Sequence, residues 1–455
     1  MILLKTRYKR IHFVGIGGTG MSGIAEVLHN MGFIVSGSDI SRKETTIRLE
    51  NLGIKIYYEH NEKNVLEKDL IVYSSAISID NPELLKAQDL NIPIIQRAEM
   101  LSEIMRVKFS IAVSGAHGKT TTASMIGHAI RELDPTIVVG GILKGVESTA
   151  KLGKSDFIVV EADESDKSFL KLLPSIAVIT NIDKEHLDTY RNLIEIKRAF
   201  LDFANSVPFY GAVILNVDEK DNLDILPFIE KRVISYGINE NAFVSAKNIE
   251  FKDLGSSYDL YINGKFISKV HLKVPGIHNV KNSLSAIAVA YDLDLNLKNA
   301  IESLSEFTGV RRRFEIKGYF GKALIIDDYG HHPTEIENVI KTARVYFNKR
   351  LIVVFQPHRY TRTKFLYNEF ANVLSKADEI ILLPIYSAGE KPILGISSEL
   401  IYNKLLNYNS DVKIFSSKEE AFDYLKNYKN SDVIIITLGA GDVYKVGELL
   451  LSLEQ

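Results

Sequence analysis

The sequence predicts an α/β protein built from three domains. Its length of 455 residues corresponds to about three domains at roughly 150 residues each. Its composition, with 46% hydrophobic and 25% charged residues, is that of ordinary globular proteins. Along the chain, short apolar runs alternate with segments of helical periodicity. This alternation is typical of parallel sheets with helices on both faces.

Charge and composition exclude several classes of protein. Lys plus Arg number 55 and Asp plus Glu number 57, whereas nucleic-acid binders usually carry a basic excess. The chain has no cysteine, which excludes disulfides, thiolate metal sites and cysteine nucleophiles. No apolar run approaches the length of about 18 residues that a membrane span needs. Because the first ten residues also lack the order of a secretory signal, we expect a soluble, cytoplasmic protein without membrane insertion.

The first domain is predicted over residues 1–106 as a Rossmann-like parallel sheet. An apolar strand at residues 11–15 leads into a glycine-rich loop and a helix at 21–31. Gly15, Gly17 and Gly20 match the dinucleotide fingerprint, and Asp39 lies near the place of a ribose-binding acid. Both NAD and a nucleotide-sugar diphosphate fit this loop, and a purely structural turn is a third reading. Further strands are predicted at 33–36, 70–73 and 92–95.

The second domain is predicted over residues 107–308 as a P-loop ATPase-type α/β domain. We predict its strands at 109–114, 157–161, 176–181 and 212–216, and helices at 277–291 and up to about 308. Two further runs, 258–262 and 266–270, flank Asn263-Gly264, which is a strong hairpin signal. The second domain is therefore expected to carry a small antiparallel sheet.

A phosphate-binding loop follows the first strand of this domain. Gly115 and Gly118 allow backbone N–H groups to face a polyphosphate, Lys119 can reach the terminal phosphates, and a hydroxyl of Thr120 or Thr121 can ligate Mg²⁺. The loop is a shorter Gly-x-x-Gly-Lys-Thr variant of the general P-loop. An ordinary glycine-containing turn is the alternative reading.

Acidic residues and a histidine follow the next two strands. Glu161 opens an acidic run at 161–166, and His186 lies just after the strand at 176–181. Because ligands collect at the carboxyl ends of parallel strands, Glu161 and His186 could share one Mg²⁺. Taken alone, each feature is more often a solvated loop or a structural histidine. The nearby phosphate loop favours the site.

The third domain is predicted over residues 309–455, again as a Rossmann-like α/β domain, with strands at 323–326, 351–355, 380–383 and 433–437. Tyr329 and His331 follow one strand, and Arg359 and Arg362 follow another. The two arginines could form a fork for a carboxylate or phosphate. Residues 311–313 are three arginines at the domain junction, either reaching a nucleotide or forming a solvated linker.

Together these motifs resemble the Mur ligase family, the ATP-dependent amide-bond-forming ligases of peptidoglycan precursor synthesis, and cover essentially the whole chain. The junction differs from the family's usual Gly-Arg-Arg-Phe, so the match depends on Arg312 and Arg313. The motifs that carry the resemblance are residues 12–21, 115–121, 161–166, 278–279, 311–314, 328–333 and 356–359.

The resemblance implies a role for each site residue. Residues implied to bind the UDP-sugar are Gly15, Gly17, Gly18, Thr19, Gly20, Met21 and Asp39. Those implied for ATP are Gly115, Ala116, His117, Gly118, Lys119, Thr120, Thr121, His278, Asn279, Asn282 and Arg313. Those implied for Mg²⁺ are Thr120, Thr121, Glu161 and His186. Those implied for the amino acid are Tyr329, His331, Arg359 and Arg362. The implied catalytic set is Lys119, His331, Arg359 and Arg362.

The branch most resembled couples L-alanine to the carboxylate of UDP-N-acetylmuramate through an acyl phosphate, with ATP and Mg²⁺, as a monomer or homodimer. The general base is not identified by sequence; His331 is a candidate by residue type and position. A recycling ligase that adds a tripeptide to the same sugar nucleotide is the alternative. An NAD-dependent oxidoreductase and a non-catalytic nucleotide-sugar sensor are more distant alternatives, because neither needs the phosphate loop.

Overall fold

The computed structural model describes residues 6–74, 76–186, 189–239, 241–408 and 411–454. Their strands form three sheets, and the chain separates into two compact units. One unit extends to Ile249 and includes Ser257–Lys273 and Asn279–Val310. The other consists of Glu250–Ser256, Val274–His278 and the chain from Arg311 onward. Within the described ranges, no helix is both long and apolar enough to span a membrane.

The N-terminal sheet has the predicted parallel α/β form. Its strand order is β3-β2-β1-β4-β5, and every pairing is parallel. The strands are β1 (Arg10–Val14), β2 (Ile34–Ser38), β3 (Lys55–Tyr57), β4 (Leu70–Tyr73) and β5 (Ile94–Gln96). The helices are α1 (Thr19–Asn30), α2 (Glu44–Asn51), α3 (Pro82–Asp89) and α4 (Arg97–Met105). Because β1 is central, the loop that follows it opens at the carboxyl edge of the sheet, where ligands bind in such folds.

The central sheet of the first unit has ten strands in the order β15-β14-β13-β12-β11-β10-β6-β9-β7-β8. The first seven in chain order are β6 (Phe109–Ser114), β7 (Thr136–Leu143), β8 (Ser148–Lys151), β9 (Phe157–Glu161), β10 (Ile176–Ile179), β11 (Ala212–Asn216) and β12 (Val233–Gly237). The helices are α5 (Lys119–Ala129), α6 (Leu193–Asn205), α7 (Lys220–Ile225), α8 (Ile277–Asp292) and α9 (Leu297–Glu306). Strand β6 pairs in parallel with β9 and β10, which places the ends of all three at one edge.

The predicted hairpin is present, with Asn263 and Gly264 both at positive φ (49° and 71°), as a two-residue turn of this kind requires. Its strands do not form a sheet of their own, because β13 pairs in parallel with β12 and so continues the large sheet. The strands concerned are β13 (Val244–Lys252), β14 (Gly255–Ile262) and β15 (Lys265–Leu272). The small attached sheet that we predicted is therefore an extension of the central one.

The sheet of the second unit has six strands in the order β16-β17-β21-β18-β19-β20. Its strands are β16 (Glu315–Phe320), β17 (Ala323–Asp328), β18 (Arg350–Phe355), β19 (Glu379–Leu382), β20 (Val412–Ile414) and β21 (Val433–Leu438). Its helices are α10 (Pro333–Tyr346), α11 (Tyr360–Leu374), α12 (Glu399–Leu406), α13 (Lys418–Leu425) and α14 (Tyr444–Ser452). The edge strand β16 is antiparallel to β17 and was not predicted, because its polar residues lack a continuous apolar run.

Candidate active site

The second glycine loop connects β6 to α5 as the sequence predicts. Gly118 is the residue before α5 and has φ 81°, a left-handed conformation that glycine adopts without strain. Gly115 also has positive φ, and a Cβ there would clash with Thr180 Oγ1. The loop therefore needs both glycines, one for the backbone turn and one for the approach of β10.

Residues after β10 hold this loop in place. The N–H of Ala116 donates to the Asn181 carbonyl at 3.0 Å, and the N–H of His117 donates to Asn181 Oδ1 at 2.8 Å. Thr180 Oγ1 donates to the His117 carbonyl at 2.7 Å. His117 Nε2 lies 3.0 Å from Asp183 Oδ2. These supporting roles were not predicted from the sequence. Polar residues immediately after a buried strand are the signal that could have indicated them.

Lys119 begins α5 and is enclosed by the loop and the acidic run. Its Nζ donates to the Gly115 and Ala116 carbonyls at 2.6 and 3.2 Å and to Glu164 Oε1 at 2.9 Å. Burial opposes the charge of this ammonium, but the carboxylates of Glu164, Asp163 and Glu161 outweigh burial and raise the pKa of Lys119 above its usual value. The lysine is thus a fixed positive charge at the phosphate loop.

Glu161 lies at the end of β9 and contacts the start of α5. Its Oε2 accepts hydrogen bonds from Thr120 Oγ1 at 2.8 Å and from the N–H of Gly140 at 2.6 Å. Thr121 is buried in the same helical turn. The predicted hydroxyl and carboxylate ligands therefore lie together beside the loop.

The carboxylates found beside His186 are those of Glu164 and Glu185, whereas the prediction paired His186 with Glu161. Its Nε2 is 3.4 Å from Glu164 Oε1 and 3.7 Å from Glu185 Oε2. Potential ligand atoms of Glu164, Glu185 and His186 all lie within 4.8 Å of one another. Glu164 Oε2 is buried and accepts no hydrogen bond from any residue that the structure describes. This donor set, two carboxylates with an imidazole, fits a divalent cation such as Mg²⁺ or Mn²⁺.

Two of the asparagines assigned to ATP lie beside the loop. Asn282 Oδ1 is 3.3 Å from the position that a Cβ on Gly118 would occupy, and Asn282 Nδ2 donates to Asn279 Oδ1 at 3.2 Å. Both asparagines are buried on α8. His278 precedes them on the same helix but is part of the other compact unit.

Several backbone N–H groups of the first glycine loop already donate hydrogen bonds to acceptors within the protein. The N–H groups of Gly15 and Ile16 donate to the Ser38 carbonyl at 2.9 and 3.0 Å, and the N–H of Gly17 donates to Asp39 Oδ2 at 2.9 Å. Asp39 Oδ1 accepts from the N–H and Oγ of Ser41. Asp39 therefore holds the loop itself, a role that the fingerprint does not predict. Of the other residues assigned here, Met21 is buried and Gly18 precedes α1; the side chain of Thr19 lies outside what is described.

In the second unit, aromatic and imidazole rings form a cluster after β17, β18 and β19. The ring centroids of Tyr329 and His331 are 5.5 Å apart, and those of His331 and His358 are also 5.5 Å apart. His358 in turn stacks on Tyr386 at 5.8 Å with an interplanar angle of 11°. The predicted residues Tyr329 and His331 are thus brought together with two residues that were not predicted.

Arg359 and Arg362 lie at the start of α11, as expected. Arg359 is the residue before the helix and has φ 70°, an unusual conformation for a side-chain-bearing residue and one that is often found at functional sites. Its N–H donates to the Tyr386 carbonyl at 2.8 Å. Arg362 Nη1 lies 3.2 Å from His358 Nδ1. Glu390 supports this helix start by accepting from the N–H and Oγ1 of Thr361 at 3.1 and 2.6 Å.

The junction arginines have different partners. Arg312 is bound to Asp327 at 2.9 Å and to the carbonyls of Gly439 and Gly441, which indicates a structural role within the second unit. Arg313 Nη1 lies 3.2 Å from Glu335 Oε1, and its guanidinium lies over the Tyr329 ring at 5.3 Å. Arg312 lies over the same ring at 5.1 Å, so both of these junction arginines lie beside the ring cluster.

Three family models match consecutive parts of the chain. A model described as the Mur ligase family catalytic domain matches residues 10–109, and the Mur ligase middle domain matches residues 113–290. A model described as the Mur ligase glutamate ligase domain matches residues 312–441.

Full-length relatives show the same similarity. The chain is 46% identical to a UDP-N-acetylmuramate–L-alanine ligase of Sulfurihydrogenibium sp. (strain YO3AOP1), covering 98% of each chain. It is 49% identical to one of Desulfatibacillum aliphaticivorans, covering 97% of this chain and 98% of the relative. Among solved structures, a UDP-N-acetylmuramate-alanine ligase from Thermotoga maritima has a TM-score of 0.84 at 30% identity, covering 98% of this chain and 99% of the other. A murein peptide ligase from Psychrobacter arcticus has a TM-score of 0.73 at 23% identity, covering 97% and 98%, and supports the fold alone.

Proposed function

The chain belongs to the Mur ligase family, and from this we propose that it joins L-alanine to the carboxylate of UDP-N-acetylmuramate at the expense of ATP, in peptidoglycan precursor synthesis. The observation that carries the proposal is the phosphate loop, in which Lys119 is held as a fixed cation by the buried carboxylate of Glu164. Two full-length relatives named UDP-N-acetylmuramate–L-alanine ligase are 46% and 49% identical to this chain, which supports the choice of substrates.

The reaction needs an activated carboxylate, because an oxide is a very poor leaving group. We propose that the sugar-nucleotide carboxylate attacks the γ-phosphorus of ATP, releasing ADP and forming an acyl phosphate. The fixed charge of Lys119 stabilises the negative charge on the transferred phosphoryl group. The amine of L-alanine then attacks the acyl carbon, and inorganic phosphate leaves as the amide forms.

Mg²⁺ fits the carboxylates around this loop, and when bound it neutralises charge on the transferring phosphoryl group. The residues proposed to hold it are Thr120, Thr121, Glu161, Glu164, Glu185 and His186. His186 was proposed from sequence with Glu161, and the contacts of the structure favour adding Glu164 and Glu185 to the set.

For the amine, we propose that Arg359 and Arg362 bind the alanine carboxylate and that His331 takes the ammonium proton. His331 Nδ1 lies 3.1 Å from the Tyr329 carbonyl. Because a carbonyl only accepts, Nδ1 carries the ring proton and Nε2 keeps its lone pair in the neutral ring. A neutral imidazole whose Nε2 carries the lone pair is of the right chemical type to act as a general base.

The test is release of inorganic phosphate from ATP and Mg²⁺ with UDP-N-acetylmuramate, in the presence and absence of L-alanine. Release that requires both the sugar nucleotide and L-alanine is expected. In a parallel reaction, L-alanyl-γ-D-glutamyl-meso-diaminopimelate replaces L-alanine; release only with this tripeptide would retain the chemistry and replace the proposed amine substrate. No release with either amine would contradict the proposal.

Three further predictions stay proposals. Domain boundaries near residues 106 and 309 are proposed, and limited proteolysis tests them. A cytoplasmic location is proposed because UDP-sugar and ATP are cytoplasmic metabolites. A monomer or homodimer is proposed for the oligomeric state, which light scattering measures directly.

A further inference from the structure

A partly buried arginine lies beside the first glycine loop and has no assigned role. Arg97 is the first residue of α4, directly after β5, and its side chain is only 21% exposed. Its nearest acidic partner is Asp163, with 3.9 Å between Nη2 and Oδ2. No residue in the described part of the chain accepts a hydrogen bond from its guanidinium. A guanidinium has five N–H donors, and those of Arg97 are therefore available to a ligand bound at this loop.

The guanidinium of Arg97 lies against the first turn of α1. A Cβ added to Gly20 would be 2.7 Å from Arg97 Nη1 and 3.4 Å from Cζ. The third glycine of the fingerprint is therefore required here because the guanidinium occupies the space of a side chain. A helix start presents N–H groups and partial positive charge, so Arg97 adds a full charge at the point where an anion is already favoured.

The loop itself has few donors left for a ligand. Its N–H groups at Gly15, Ile16 and Gly17 donate to Ser38 and Asp39, and that of Gly18 donates to the Gly15 carbonyl at 3.3 Å. The Asp39 carboxylate also places negative charge beside the loop. A diphosphate therefore needs a cation from elsewhere, and an arginine can bind two phosphate oxygens at once.

The backbone at Arg97 is held firmly. The N–H of Gln96 donates to Glu99 Oε2 at 2.9 Å, which closes the start of α4. Lys171 Nζ donates to both Gln96 Oε1 and Glu99 Oε1, at 2.7 and 3.0 Å. The neighbours of Arg97 are thus hydrogen-bonded to one another, and its own side chain extends from a rigid helix start toward α1.

We propose that Arg97 binds the diphosphate of the sugar nucleotide, donating from its guanidinium to phosphate oxygens over the first turn of α1. This assignment rests on the proposed function, since it takes UDP-N-acetylmuramate as the ligand of the first loop. Arg97 is a binding residue in this role.

The experiment compares Arg97→Gln and Arg97→Lys with wild type by isothermal titration with UDP-N-acetylmuramate, UDP and uridine. Loss of charge-assisted hydrogen bonds to phosphate weakens binding by roughly 10- to 100-fold. We expect that loss for both UDP-N-acetylmuramate and UDP in Arg97→Gln, partial recovery in Arg97→Lys, and unchanged uridine binding and ATP KM. Arg106→Gln is the matched control, because Arg106 directly follows the same helix and forms an exposed ion pair with Glu103 at 2.7 Å.

Other outcomes would overturn the assignment. Weaker UDP-N-acetylmuramate binding with unchanged UDP binding would place Arg97 on the sugar's carboxylate. Unchanged affinities with a lower melting temperature, reproduced by Asp163→Asn, would make it a structural partner of Asp163. The proposed function fails separately, if wild-type protein binds the sugar nucleotide but forms no amide with L-alanine.

Discussion

The two glycine loops of the first unit have the same strand–loop–helix form but obtain positive charge differently. In the loop after β6, the cation is Lys119, which belongs to the motif and is fixed by Glu164 at 2.9 Å. In the loop after β1, no cation belongs to the motif, and Arg97 reaches the helix start from a segment more than 75 residues away. A sequence motif therefore indicates a cation that is part of the loop, but it does not indicate one that a distant segment supplies.

The largest expected effect tests the local cation. Lys119→Ala should lower phosphate release by at least ~10²-fold, the scale of losing one charge-stabilising donor in the transition state. Steady-state phosphate release measures it, with far-UV circular dichroism to confirm folding. Lys154→Ala, which removes an exposed lysine of the same unit, is the control. A folded Lys119→Ala protein with wild-type turnover would contradict the role of Lys119 as the cation of its loop, and with it the comparison of the two loops.

The next effect concerns a third helix start, in the second unit, where Arg359 and Arg362 are local cations like Lys119. Arg359→Ala should raise the KM for L-alanine by roughly 10- to 100-fold, because a charged hydrogen bond is lost, and should leave the KM for ATP unchanged.

Arg359→Gly separates the side chain from the backbone at the same position. It should raise the alanine KM as Arg359→Ala does, but glycine tolerates φ 70° without strain, so it should be more stable than the alanine variant by about 1 kcal/mol. Urea unfolding of the two variants measures the difference. Equal stability would show that the left-handed backbone does not persist in the free protein.

A smaller effect tests the remote cation. Gly20→Ala places a methyl group 2.7 Å from Arg97 Nη1, so it should displace the guanidinium and weaken sugar-nucleotide binding by about 10-fold. In the Arg97→Gln background the same substitution should weaken sugar-nucleotide binding much less, because the two positions act through one contact. Additive losses in a double-mutant cycle would mean that Gly20 serves the loop independently of Arg97.

The smallest effect is a pH dependence at the third helix start. Burial is the main cause that lowers the pKa of His358 to about 3 from 6.5, and the neighbouring His331, Arg362 and Arg359 lower it further. Between these values the unfolded chain binds a proton that the folded chain does not, so stability falls as the pH falls, by at most about 1.4 kcal/mol per pH unit. His358→Gln should lose less stability than wild type between pH 7 and pH 5 in urea unfolding. Identical losses would place the titration elsewhere.

The parts of the fold that the sequence predicted are those with continuous apolar runs. Strands β6, β9 and β11 have the predicted bounds, and the Asn263-Gly264 hairpin is present. Strand β16 was missed because it has no continuous apolar run. The position of the hairpin in the large sheet was missed because the local sequence does not indicate which strands are neighbours. The predicted family and the three-domain α/β fold are confirmed by the matched models and relatives.

The candidate site could be predicted where its residues follow strands in the motif itself, as Lys119, Tyr329 and Arg359 do. The roles of Asn181, Glu390 and Arg97 depend on contacts between segments far apart in sequence, and residue type alone does not indicate them. Asp39 was expected near a ribose because of its position, yet both of its oxygens bind the loop and Ser41. The role of each site residue stays a proposal until the variants are measured.

The ion pair between Lys119 and Glu164 has a consequence for nucleotide selection. An incoming polyphosphate must compete with a carboxylate that already holds the lysine, and that carboxylate is 2% exposed. A single weakly bound anion, such as free phosphate, gains too little from one contact to displace it. A nucleotide that also contacts the N–H groups of the loop and a cation gains enough binding free energy to displace the carboxylate. We therefore expect the resting loop to reject common cellular anions and to open only to a ligand that makes several contacts at once.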